Sequence, residues 1–336
     1  MIVARTIAAA RAALAALPRP LGLVPTMGAL HEGHLALVAA ARGRCASVVA
    51  SLFVNPTQFG PGEDYARYPR DEARDLELFE RTGADVVFAP AADEMYPAGA
   101  CTTVHVSGPL NEKYEAEARP GHFDGVATVV VKLLDIIQPD VAFFGEKDAQ
   151  QLALIRRVVR DLDLPVEVAG VATVREPDGL AMSSRNAYLT AEQRAVAPDL
   201  YRALLAGRAA ALKPGGTPKD AIVAAATALA LPDRSLMSDD DRLRELKGQA
   251  PPAPPRIHVE YLDVVDADTF VQEREFTPRS LLIACGRLDS TRLLDNVPLA
   301  PDPVTSSALA ATTPAGAADP TAPPHQGAYP ARDATR

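Results

Sequence analysis

Between Arg19 and about Ser184, short β-branched or apolar runs alternate with stretches whose apolar residues recur at helical spacing. Leu21–Pro25, Ser47–Val54, Asp85–Phe88, Val141–Gly145 and Val166–Val171 read as strands; Leu35–Arg42, Asp71–Thr82, Val126–Ile137 and Ala149–Arg160 read as the intervening helices. Parallel neighbours need a crossover, so this alternation predicts an α/β domain: a Rossmann-like, doubly wound parallel sheet over about residues 1–185. Met1–Ala16, with Arg5 and Arg11 among apolar residues, reads as an amphipathic helix. A second pattern covers 186–298: a capping box at Thr190 and Gln193, Ala-rich helices at Leu200–Leu212 and Lys219–Ala230, then strand-like runs at Ile257–Val265 and Ser280–Cys285. It predicts a smaller α+β domain, interrupted by a polar, Pro-rich insertion at Pro232–Arg256. The last 38 residues, Leu299–Arg336, hold 11 Ala, 7 Pro and 5 Thr. They have almost nothing to bury and are expected to be disordered.

Composition narrows the class. Of 336 residues, 48% are hydrophobic and 23% charged, enough for sizeable cores. No apolar run approaches the roughly 18 residues of a membrane span, and the arginines near the N-terminus interrupt any secretory apolar segment. A formal charge of −9 disfavours a general nucleic-acid surface. Three widely spaced cysteines, Cys45, Cys101 and Cys285, make neither a disulfide framework nor a zinc knuckle. The expectation is a reduced, cytoplasmic protein that holds any anionic substrate with a local basic site.

Candidate chemistry collects in loops that follow predicted strands, the rim where doubly wound sheets bind ligands. In Pro25-Thr26-Met27-Gly28-Ala29-Leu30-His31-Glu32-Gly33-His34, Gly28 and Gly33 allow close backbone approach. The two imidazoles sit at a helix N-terminus, suited to a phosphate that gains charge during transfer. His-x-x-His could instead bind zinc, but no third ligand stands at suitable spacing. In Gly145-Glu146-Lys147-Asp148, the lysine offers phosphate a compact charge. It could equally pair with Glu146 or Asp148, and Asp148 could cap the next helix. Ser183, Ser184 and Arg185 in the Asp178–Asn186 loop can donate to a polyphosphate, or simply form an interdomain turn. Asn55–Gly60 offers the Gln58 amide, or only a post-strand turn. No P-loop, Gly-x-Gly-x-x-Gly or Ser-His-Asp order occurs.

Together the His-x-Gly-His-type loop, the lysine turn and the Met-Ser-Ser-Arg loop resemble the nucleotidylyl-transferase superfamily. Val24–His34, Phe53–Phe59, Arg119–Val126, Phe144–Gln151, Asp178–Asn186 and Arg292–Asn296 are more closely similar to the pantothenate synthetase family, in order and over roughly residues 1–298. The resemblance implies ATP-dependent condensation of (R)-pantoate with β-alanine through a pantoyl-adenylate, with Mg²⁺, in a homodimer formed by the N-terminal domain. It implies ATP contacts from Met27, Gly28, Ala29, Leu30, His31, Glu32, Gly33 and His34, with His34 as proton donor. Gly145, Glu146, Lys147, Asp148, Val174, Met182, Ser183, Ser184 and Arg185 would complete the ATP site. His31 and Lys147 would assist His34 in catalysis; Gln58 and Gln151 would hold pantoate, Gln58 near the β-alanine. The resemblance does not single out metal ligands. The charged segment Glu112–Phe123 reads as a lid that keeps water from the adenylate. Two rival readings are another adenylyl- or cytidylyl-transferase, and a nucleotide-binding scaffold without turnover.

Overall fold

The computed structural model describes residues 1–230 and 255–299. The tail beyond 299 and all but the last two residues of the Pro232–Arg256 insertion lie outside them.

The chain runs β1 (Ile2–Ala4), α1 (Ile7–Leu14), β2 (Leu21–Thr26), α2 (Glu32–Arg44), β3 (Ser47–Leu52), α3 (Glu72–Thr82), β4 (Val86–Phe88) and α4 (Ala92–Met95). It continues through α5 (Glu115–Ala118), α6 (His122–Ile137), β5 (Val141–Gly145), α7 (Ala149–Asp161) and β6 (Glu167–Val171). The six strands form one sheet in the order β1-β4-β3-β2-β5-β6, every pairing parallel. Successive residues point to opposite faces. Val49, Val86, Phe88 and Phe144 therefore join the core under α6 and α7, while Val48, Val87 and Phe143 join the one under α2 and α3. The winding direction reverses at β2, which lies between β3 and β5. The loops after β2 and β5 flank this switch point, where a doubly wound sheet opens a crevice.

The N-terminus departs from expectation. Ile2–Ala4 pairs with β4 as an edge strand, and the helix begins only after Thr6, whose hydroxyl accepts from Ala9 N at 3.1 Å. A β-branched pair beside a free sheet edge outweighs the amphipathic pattern.

The second region contains α8 (Ala191–Val196), α9 (Asp199–Ala211) and α10 (Pro218–Ala230). An antiparallel sheet follows: β7 (His258–Asp266), β8 (Ser280–Leu288) and β9 (Thr291–Pro298). The capping box is present, with Thr190 Oγ1 accepting from Gln193 N and Gln193 Oε1 from Thr190 N. Strand β9 escaped the sequence reading because its Asp295-Asn296 breaks the apolar run. The small sheet is covered on both faces: Leu282, Ala284 and Leu288 pack on α9 and α10, while Leu281 and Ile283 join the core of the large sheet. Leu299, assigned above to the tail, is buried in the small core, and its N–H donates to Ser280 O at 2.9 Å.

Candidate active site

The loop after β2 is shaped by a buried carboxylate that the sequence reading missed. Asp75, on α3, accepts from the backbone N–H groups of Ala29 and Leu30 at 2.8 and 2.9 Å. Gly28 sits at φ +83°, and a Cβ there would lie 2.8 Å from Asp75 Oδ2. The clamp throws the chain into α2 so that two histidines cap the helix reciprocally. His31 Nδ1 accepts from Gly33 N at 3.1 Å, and His34 Nδ1 accepts from His31 N at 3.3 Å. A Cβ on Gly33 would lie 2.8 Å from the His31 ring.

This capping fixes the tautomers. A nitrogen that accepts from an amide carries no proton, so each neutral ring is protonated at Nε2. Burial, with the neighbouring His31, pushes the His34 pKa down to about 3. That of His31 is lowered by burial and by the charge of Lys147. Both rings, 4.1 Å apart, are thus neutral Nε2–H donors at pH 7.

Lys147 stands in the turn after β5, its Nζ 3.7 Å from Asp148 Oδ1. Asp148 makes no capping hydrogen bond to α7. The turn is held from β9 of the small sheet: the Asn296 amide donates to the carbonyls of Glu146 and Lys147 at 2.9 and 3.0 Å.

Gln58 is oriented by Asn55, whose Nδ2 donates to Gln58 Oε1 at 3.0 Å. Asn55 Oδ1 in turn accepts from Tyr96 and Thr57. The Gln58 amide therefore turns its nitrogen outward, against only Met27 Sδ. The two glutamines on α7 divide sharply. Gln150 is buried and spent on the backbone of Leu110, Lys113 and Glu115, whereas Gln151 faces the cleft.

The arginines of the cleft are paired. Arg185 forms a bidentate ion pair with Asp64 at 2.9 and 3.0 Å, and Arg119 one with Glu63 at 2.8 and 2.6 Å. Ser183 Oγ caps the turn it starts, accepting from Arg185 N, and Ser184 Oγ donates to Ala29 O, tying this loop to the β2 loop.

One cavity of about 250 Å³ collects Met27, His31, Gly33, His34, Gln58, Gly145, Lys147, Asp148, Gln151, Val174, Met182, Ser183, Ser184 and Arg185. It adjoins a wider cavity of about 510 Å³, bordered by Glu63, Asp64, Arg292 and Asn296. Of the other expected residues, Gly28 and Ala29 shape the loop, Leu30 is buried in the core, and Glu32 is exposed on α2. Glu146 points its carboxylate toward Gly170, away from the cavity.

A family model described as pantoate-beta-alanine ligase matches residues 2–298. The chain belongs to the pantoate-beta-alanine ligase family. It is 52% identical to the pantothenate synthetase of Chloroflexus aggregans over 88% of this chain and 99% of that one. With the pantothenate synthetase of Thermus thermophilus, identity is 49% over 88% of this chain and 100% of that one. A crystal structure of the Thermus enzyme superimposes with a TM-score of 0.79, covering 90% of this chain and 100% of that one. A Francisella tularensis pantoate-beta-alanine ligase, complexed with beta-gamma ATP and beta-alanine, gives a TM-score of 0.66 at 28% identity, covering 89% and 98%.

Within Glu112–Phe123, the segment expected as a lid, one carboxylate is held in place. Buried Glu115 pairs bidentately with Arg292 at 2.8 and 2.7 Å and accepts from Tyr261 at 3.0 Å. Among the described residues no group of three or more His, Cys, Asp or Glu converges on a metal position, and no helix is long and apolar enough to cross a membrane.

Proposed function

We propose that this pantoate-beta-alanine ligase family member joins (R)-pantoate to β-alanine in two steps within this cavity. In the first, a pantoate carboxylate oxygen bonds to the α-phosphorus of ATP and the bond to the β-phosphate bridging oxygen breaks, releasing pyrophosphate. In the second, the β-alanine amine attacks the adenylate carbonyl, loses a proton, and AMP departs. The observation that carries this reading is the gathering of two donor sets around one cavity. The His31 and His34 Nε2–H groups and Lys147 line one cavity with the amides of Gln58 and Gln151. The first set suits the phosphates, whose charge grows as pyrophosphate leaves. The second suits a hydroxy acid. Holding both reactants in attack geometry can supply about 7–11 kcal/mol.

His34 acts as a neutral hydrogen-bond donor through Nε2; the ring gains basicity only once a phosphate anion lies against it. Met27, Val174 and Met182 supply apolar contact for the nucleotide, while Ser183 and Ser184 lie on the phosphate side. Mg²⁺ would enter as the ATP complex, held by phosphate oxygens and water, since among the described residues Asp148 is the one carboxylate lining this cavity and no cage is present. The family reading extends to a homodimer in the cytoplasm, which light scattering and fractionation would check.

AMP release, with each substrate omitted in turn, tests the reaction. Free AMP that requires both acid and amine supports it; a nucleotidylated product, or ATP binding without AMP, would favour the transferase or scaffold reading. Exchange of labelled pyrophosphate into ATP should need pantoate and not β-alanine.

A further inference from the structure

The run Arg119-Pro120-Gly121-His122 leads into α6, which His122 opens, and the proposed chemistry leaves it without a task. The His122 ring is buried at the wall of the cavity. Both its nitrogens are engaged: Nε2 lies 3.0 Å from Arg119 Nη1, and Nδ1 lies 2.8 Å from the backbone carbonyl of Gln58. A guanidinium only donates, so Nε2 is the acceptor and the ring proton sits on Nδ1, donated to Gln58 O. Arg119 is itself held by Glu63 and also reaches Gln58 O, at 3.3 Å.

The relay is charge-balanced: one carboxylate, one guanidinium and a ring kept neutral, with its pKa lowered to about 4 by burial and by Arg119. It therefore adds no net charge with which to hold phosphate. No nitrogen of the imidazole is left for a substrate. What the relay fixes is the Gln58 backbone, while Asn55 fixes its side chain. From the other side, Gly125 lets α6 close onto this turn, where a Cβ would lie 2.3 Å from Thr57 O.

We propose that His122 is a positioning residue: aligned by Arg119 and Glu63, it sets the Gln58 amide against the carboxylic-acid substrate through the Gln58 carbonyl. The proposal rests on the ligase reading of the site. A misplacement near 1 Å of a group that orients a reactant can cost about 10²-fold in rate.

Two amide replacements separate positioning from mere packing. Asparagine places its Nδ2 near the position of the histidine Nδ1 and can donate to Gln58 O; glutamine places its amide near Nε2 and cannot. His122→Asn should keep kcat/KM for pantoate within about threefold of wild type, and His122→Gln should lower it about 10²-fold with little change in KM for ATP. In a Gln58→Ala background His122→Gln should add less than about twofold, because the two act as a unit. Equal losses in Asn and Gln variants, parallel losses for ATP and pantoate, or additive losses in the double variant would overturn the proposal. Circular dichroism of each variant checks that it is folded; if His122→Gln is not, Arg119→Met, which removes the alignment and leaves the ring, should reproduce its pantoate-selective loss. A wild-type protein that releases no AMP would overturn the ligase reading and this proposal together, whereas an active wild type with an additive cycle overturns only the proposal.

Discussion

The Asn296 side chain reaches from the small antiparallel sheet to the turn after β5 and donates to the carbonyls of Glu146 and Lys147, at 2.9 and 3.0 Å. A residue of the last strand thereby sets the height of the lysine in the cavity. Its neighbour Asp295, 4% exposed, is clamped bidentately by Arg175 at 2.5 and 2.9 Å, so the reach is made from a rigid base.

Asn296→Ala should leave the lysine turn unsupported. The loss in stability should be about 1–3 kcal/mol for two hydrogen bonds, while kcat/KM for ATP falls by about tenfold or more. Steady-state kinetics beside a urea titration would separate the two effects; unchanged ATP kinetics would show that the turn holds itself.

Substitution can divide the helix capping by the histidines from their proposed donation to phosphate. His31→Asn keeps an N-cap side chain and loses the Nε2–H, so it should preserve the melting temperature while pyrophosphate exchange falls by about 10²–10³. His31→Ala should lose the exchange and also about 1 kcal/mol of helix stability. His34→Ala and Lys147→Ala should depress exchange by about 10²–10³ as well, and preformed pantoyl-adenylate should relieve much of that deficit.

Stability should decline in acid before the carboxylates titrate. His34 and His122 have folded pKa values lowered to about 3 and about 4 from 6.5. The unfolded chain therefore takes up protons below pH 6.5 that the folded chain refuses. The stability these rings contribute is complete above pH 6.5 and lost progressively as pH falls toward 4, at up to about 1.4 kcal/mol per pH unit for each proton. Denaturant midpoints between pH 7.5 and 5 would follow this, and His122→Asn should flatten the slope. An equal slope in that variant would mean that His122 is not buried neutral.

Leu299 tests whether the small core extends past β9. Only 3% exposed, it packs with Val297 and Leu200. Leu299→Ala should cost about 2–5 kcal/mol, read as a lower melting temperature with unchanged KM values for the protein that stays folded.

The loops that matter were legible because each is local: a strand ends, glycines and polar residues follow, and a helix begins. Residues Pro25–His34 and Gly145–Asp148 could be placed on one rim from that order alone. Their supports were not legible, because the partners are remote in sequence: Asp75 for Ala29, Asp64 for Arg185 and Asn296 for Lys147. Asp75 did leave a trace, since it stands one helical turn before buried Phe79 on the apolar face of α3. A carboxylate there must find donors. Nothing comparable marks Asp64 or Glu63, whose role emerges only when the two arginines fold over them. Within Glu112–Phe123, whose charge suggested a lid, the Glu115 carboxylate is held by Arg292 from β9, a partner its local sequence does not announce.

The paired arginines change how a polyanion meets this protein. Arg119, Arg185 and Arg292 each enter the cleft with a carboxylate already against them, and the chain as a whole carries −9. Long-range attraction, which can raise association rates by orders of magnitude in unbalanced clefts, is therefore muted here. A nucleotide arrives by ordinary diffusion and is recognised only at contact range. Selectivity then rests on fixed N–H directions, and added salt, by screening the net negative charge, should ease the encounter and not slow it.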